Sequence, residues 1–216
     1  MGERVELDVY PTPPALAQLV VDVVARDFFA DDEPVCVMEP GCGDGSFLEA
    51  VRRAWPSAWV DGHEVRQGAA RPAHGKGVRV CRQDMTRLRP VGGYHLVVGN
   101  PPFGVADDVL PQLMDVLDPD HGVCALLLRL GYLGGQERYR RFWSRWPPSL
   151  VYVLPKRPGF TPDGRTDSSE YMVCVWSNRG EGPVGVRHLD NLDVECRWRS
   201  VTLRPEVGLA AFGGGA

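Results

Sequence analysis

Short apolar runs alternate along this chain with stretches in which apolar residues recur at helical spacing. Leu16, Leu19, Val20, Val23 and Val24 fall on one helix face. The Thr12-Pro13 pair ahead of them suits an N-cap followed by a first-turn proline. Runs at 34–38, 59–64, 78–81, 96–98, 123–130, 149–154 and 171–176 are short and mostly bounded by turn residues, which predicts seven strands. Between them the spacing predicts helices over 46–55, 105–117 and 136–145. Such alternation implies a Rossmann-like, doubly wound α/β fold. Its sheet is mostly parallel and seven-stranded, covered on both faces, with a C-terminal antiparallel hairpin at the edge. Residues 179–216 have weak periodicity, with short-strand candidates at Val184–Val186 and Val194–Val201. The expected organisation is one domain over 1–178 and an extension of unassigned role over 179–216.

Composition bounds the class. No apolar run approaches the ~20 residues of a membrane span, and the N-terminus lacks a charged-then-apolar leader. The six cysteines, at 36, 42, 81, 124, 174 and 196, form no Cys-x-x-Cys pair. Reduced thiols in a cytoplasmic protein without a membrane partner are expected. The five histidines show no metal-ligand spacing, and there is no P-loop or Ser/His/Asp context.

Net charge is −4, but it is unevenly spread: residues 129–165 hold eight Arg/Lys and two acids. Tyr132, Tyr139, Phe142, Trp143, Trp146, Tyr152 and Phe160 are interleaved with them. That pattern suits phosphates and unstacked bases, with Arg138, Arg141, Lys156 and Arg157 as candidate contacts. The competing reading is a solvated helix face with its aromatics in the core.

The chemistry gathers after the first and fourth strands. Gly41, Gly43 and Gly45 follow the first strand and precede a helix, where glycine permits a tight turn and close approach to a ligand. A dinucleotide loop would read G-x-G-x-x-G; here the third glycine falls one place early. Glu39, two residues before the first glycine, would repel a pyrophosphate but attract an ammonium group. Glu64 ends the second strand, where a carboxylate accepts ribose hydroxyls. Asp84 follows the third and is placed to accept from an adenine amino group. Three acids at strand ends after such a loop favour S-adenosylmethionine over NAD.

The run Glu39-Pro40-Gly41-Cys42-Gly43-Asp44-Gly45-Ser46-Phe47 resembles motif I of class I S-adenosylmethionine-dependent methyltransferases. Asn100-Pro101-Pro102-Phe103 resembles motif IV of the amino-methyltransferases, in the form common among N6-adenine enzymes. Tyr10-Pro11-Thr12-Pro13, ahead of motif I, is similar to motif X of DNA N6-adenine enzymes with the gamma motif order. The run Pro155–Phe160, with Asp163-Gly164 and Thr166-Asp167 before Tyr171 and Trp176, resembles small phage and prophage DNA methylases. The resemblance spans about residues 8–178. It implies cofactor binding by Tyr10, Thr12, Pro13, Glu39, Pro40, Gly41, Gly43, Gly45, Phe47, Glu64, Asp84 and Asn100. It also implies a second stacking aromatic at Phe160.

An exocyclic amine on adenine is a weak nucleophile because its lone pair is delocalised into the ring. Two acceptors on its two N–H groups draw that pair out. The Asn100 side-chain oxygen and the Pro101 carbonyl are placed to do so, Pro102 stiffens the loop, and Phe103 offers a ring face to the base. Methyl transfer to N6 of adenine in a nucleic acid, DNA ahead of RNA, is the expected activity, and a duplex base would first be flipped out. Adenine in structured RNA, a protein glutamine amide, and a non-catalytic nucleic-acid-binding module are the alternatives. Only 40 residues follow Trp176, too few for a large target-recognition domain.

Overall fold

The computed structural model describes residues 11–66, 78–87, 92–160, 166–180 and 182–191. Eight strands form one sheet: β1 Cys36–Pro40, β2 Trp59–His63, β3 Val78–Cys81, β4 Leu96–Gly99, β5 Val123–Arg129, β6 Leu150–Val153, β7 Tyr171–Ser177 and β8 Gly185–His188. Their order is β3-β2-β1-β4-β5-β7-β6-β8. The first five strands run parallel. β7 pairs antiparallel with β5 and β6.

The central strands of the sheet are buried on both faces, and the strand period of two sorts their residues between them. Val37, Val60, Leu96, Val98, Ala125 and Leu127 pack under α1 Pro14–Phe28 and α2 Ser46–Ala54. Met38, Val97, Cys124, Leu126 and Leu128 face α3 Ala106–Val116 and the segment after β5. This double burial is why the strands read as nearly continuous apolar runs.

Four expectations are adjusted. The sheet has eight strands rather than seven, because β8 pairs parallel with β6. The β6–β7 hairpin therefore lies inside the sheet rather than at its edge. The helix expected over 136–145 is only α4 Gln136–Arg138, which widens into a π-type turn at Tyr139–Trp143. Thr12 does not cap α1: the flanking residue is Pro13, and its carbonyl accepts from Leu16 and Ala17.

Candidate active site

The sheet order reverses between β1 and β4, and there the loops after their carboxyl ends open a cleft of about 200 Å³. The first loop is held by backbone conformation. Gly41, Gly43 and Gly45 all have positive φ, at 67°, 53° and 91°. At Gly41 an added Cβ would also stand 2.2 Å from the Met85 methyl. Cys42 N donates to His63 O at 2.8 Å, tying the loop to β2. Asp44 accepts from the Ser46 amide and hydroxyl, so α2 starts cleanly behind the turn.

Of the expected cofactor residues, Thr12, Glu39, Gly41, Gly43, Phe47, Glu64 and Asn100 line this cleft. Pro13, Pro40 and Gly45 shape the backbone around it without lining it. Tyr10 lies outside the described residues. Asp84 does not line the cleft: its Oδ1 accepts from the Thr86 amide and hydroxyl, opening a 3₁₀ turn that puts Met85 there instead. Val65, Arg66 and Met85 line the cleft without a sequence signal beyond their adjacency to Glu64 and Asp84.

Two of the three acids lining the cleft, Glu39 and Glu64, are held in opposite states. Glu39 is buried, its Oε2 lacks a hydrogen-bond partner, and burial pushes its carboxyl well above the ordinary range. The Leu48 backbone opposes that shift, and the charges of Asp44 and Glu64 add to it. Burial also opposes ionisation of Glu64, but hydrogen bonds from Arg66 and the Gly43 amide outweigh it and hold its carboxyl below the usual range. Its Oε1 accepts from Arg66 N at 2.9 Å and Nε at 3.0 Å. Its Oε2 accepts from Gly43 N at 3.0 Å and Arg66 Nη2 at 3.1 Å. Two donors per oxygen fill the carboxylate.

The Asn100–Phe103 loop forms the wall between this cleft and a second cavity. Asn100, Pro101 and Pro102 line the first. Phe103 lines the second, of about 390 Å³, with Arg129, Gly131, Tyr132, Arg138, Ser169 and Glu170. Asn100 Nδ2 donates to Thr12 Oγ1 at 3.1 Å, which orients the amide from the arm before α1.

Several expected substrate contacts are committed elsewhere. Arg138 pairs with Asp107 and donates to the Tyr132 and Gly134 carbonyls. Arg157 pairs with Glu170. Lys156 is tied by its backbone to the Asn191 amide in both directions. Arg141 is exposed. Phe160 is buried with its ring edge-on to Tyr171 at 5.0 Å, so it offers no open face for stacking. Phe142, Trp143 and Trp176 pack together in the core beside Tyr132. The interleaved aromatics are therefore mostly core, because the strands and the π-type turn aim them inward; Tyr139 is the exposed exception among those described.

No protein-family model matches the chain. A type II methyltransferase, M.CvrRI of Paramecium bursaria Chlorella virus XZ-6E, is 26% identical over 102 residues, 47% of this chain. The chain spans about a quarter (26%) of that curated relative's length. A Listeria monocytogenes protein classed as a class I S-adenosylmethionine-dependent methyltransferase superposes with a TM-score of 0.68 at 12% identity, over 85% of this chain and 67% of its own. The methyltransferase subunit of a Streptococcus thermophilus type I restriction-modification system gives 0.62 at 17% identity, over 84% and 47%. The fold is that of the class I S-adenosylmethionine-dependent methyltransferases. Among the described residues no helix is long and apolar enough to cross a membrane.

Proposed function

We propose that the chain transfers a methyl group from S-adenosylmethionine to the N6 amino group of adenine in DNA. The observation that carries this reading is the double-sided loop. Asn100, Pro101 and Pro102 face the first cleft and Phe103 faces the second, so one rigid turn stands between a donor site and an acceptor site. In the donor cleft Glu39 meets the cofactor ammonium. Glu64 takes the ribose when its two hydroxyls replace the Arg66 Nε and Nη2 bonds, one on each oxygen. Val65 and Met85 supply apolar surface for adenine.

On the other side Phe103 receives the target base. The Asn100 oxygen and the Pro101 carbonyl accept from the two amino hydrogens and localise the nitrogen lone pair. S-adenosylmethionine held in the first cleft would supply the methyl group, its carbon–sulfur bond breaking as the bond to nitrogen forms, and the amino proton would leave afterwards to water. Positioning supplies most of the acceleration. The likeness to a type II methyltransferase and to a restriction-modification subunit supports DNA as the acceptor. The pairing of Arg138 and Arg157 with carboxylates argues for modest electrostatic affinity for the polymer.

The test separates the two sides. Asn100→Ala should lower transfer by at least about a hundredfold. It should leave the dissociation constant for S-adenosylhomocysteine within about threefold, because the neutral hydrogen bond from Asn100 Nδ2 goes to Thr12 rather than to the cofactor. A variant with normal transfer would remove Asn100 from the reaction.

A further inference from the structure

The second cavity has a feature that the chemistry above does not use. Arg129, the last residue of β5, lies directly opposite Tyr171 in the β5–β7 register. Its guanidinium carbon stands 4.8 Å from the centre of the Phe103 ring. Its Nη2 lies 3.4 Å from Asp167 Oδ2, an oxygen that also accepts from the Tyr171 hydroxyl at 2.8 Å. The other Asp167 oxygen accepts from the Ser169 amide at 2.9 Å. The Tyr171 ring, which is fully buried, sits 5.8 Å from Phe103 on a tilted plane.

These contacts form a chain of fixation. A turn amide and a core hydroxyl fix the Asp167 carboxylate; the carboxylate fixes Arg129; Arg129 and Tyr171 together fix the plane of Phe103. Both members of the Arg129–Asp167 pair are about a third exposed, so the pair adds little to stability by itself. Its effect is directional: Phe103 opens a short 3₁₀ turn two residues after Pro101, and its ring packs against the core as well as under Arg129.

We propose that Arg129 is a positioning residue for the methyl acceptor, acting through its stack on Phe103 to set the ring plane at the mouth of the second cavity. This rests on the reading of that cavity as the acceptor site. Loss of the guanidinium removes one of the contacts that set the Phe103 ring plane, and an incoming base must then pay for part of its ordering.

The test is a double-mutant cycle on transfer of labelled methyl groups to DNA, run beside S-adenosylhomocysteine binding. Arg129→Met should raise the apparent KM for DNA by about tenfold with cofactor affinity unchanged. Arg129→Lys, which keeps a cation within reach of Asp167, should recover part of the loss. In a Phe103→Leu background Arg129→Met should have no further effect. Asp167→Asn should act in the same direction but more weakly, and it serves where Arg129→Met fails to fold. An equal loss in both backgrounds would overturn the proposal, since Arg129 would then be touching the polymer itself. Cofactor binding with no transfer to DNA by the unaltered protein would remove the acceptor reading, and this proposal with it.

Discussion

At Glu39 a cost of burial coincides with a proposed cofactor contact. Its carboxyl is buried beside Asp44 and Glu64, and Oε2 lacks a partner, so the surrounding protein favours the protonated form. The folded protein therefore binds the Glu39 proton more tightly than the unfolded chain does. Stability linked to this group is lost as pH rises from the ordinary carboxyl range towards the raised folded value. An ammonium placed on the ionised carboxylate reverses the cost, so cofactor affinity should climb with pH over that window. Glu39→Gln should melt above the unaltered protein near pH 8, with the gap closing towards about pH 5. The same variant should lose about 2 kcal/mol of cofactor binding at the higher pH and show a flatter dependence. Calorimetry at both pH values reads both effects, and parallel profiles for the two proteins would remove Glu39 from contact with the ammonium.

At the scale of elements, the turn between β1 and α2 is the least replaceable piece. Gly41 needs left-handed backbone, and its missing Cβ is the space in which the Met85 methyl sits. Gly41→Ala should cost about 1–2 kcal/mol of stability. It should weaken cofactor binding as well, because Met85 must shift within the cleft wall. Denaturant unfolding and cofactor titration check this; unchanged values in both would mean that the loop relaxes freely.

Most elements were legible in the sequence because their signal is local. β4 and β5 are apolar on both faces, and α1 and α3 keep a helical stripe. The Gly41–Gly45 and Asn100–Phe103 loops were legible for the same reason: conformation and chemistry lie within a few adjacent residues. What escaped depends on distant partners. Arg138 looked like a phosphate contact until Asp107, 31 residues away, occupied it. Phe160 reads as a stacking aromatic in sequence, but it is buried and packs against Tyr171. Asp84 differs in the other direction: the local turn Met85–Arg87 takes up its Oδ1, and the residue does not line the cleft. β8 carries the alternating exposure of an edge strand rather than an apolar run, so it stood out only weakly.

At the scale of the molecule, the loops after β1, β2 and β4 line the first cleft, proposed as the donor side, and the end of β5, the segment after it and the residues before β7 line the second, proposed as the acceptor side. The two are joined by one turn, Asn100–Phe103. The central claim is that a methyl group crosses that turn onto adenine N6 in DNA. Its most direct test incubates the protein with methyl-labelled S-adenosylmethionine and unmethylated DNA, with unmodified RNA in parallel, then digests the polymers and identifies the labelled nucleoside. The account predicts label in N6-methyldeoxyadenosine, absent with Asn100→Ala. Label in a cytosine nucleoside, in RNA alone, or in neither polymer despite cofactor binding would contradict it.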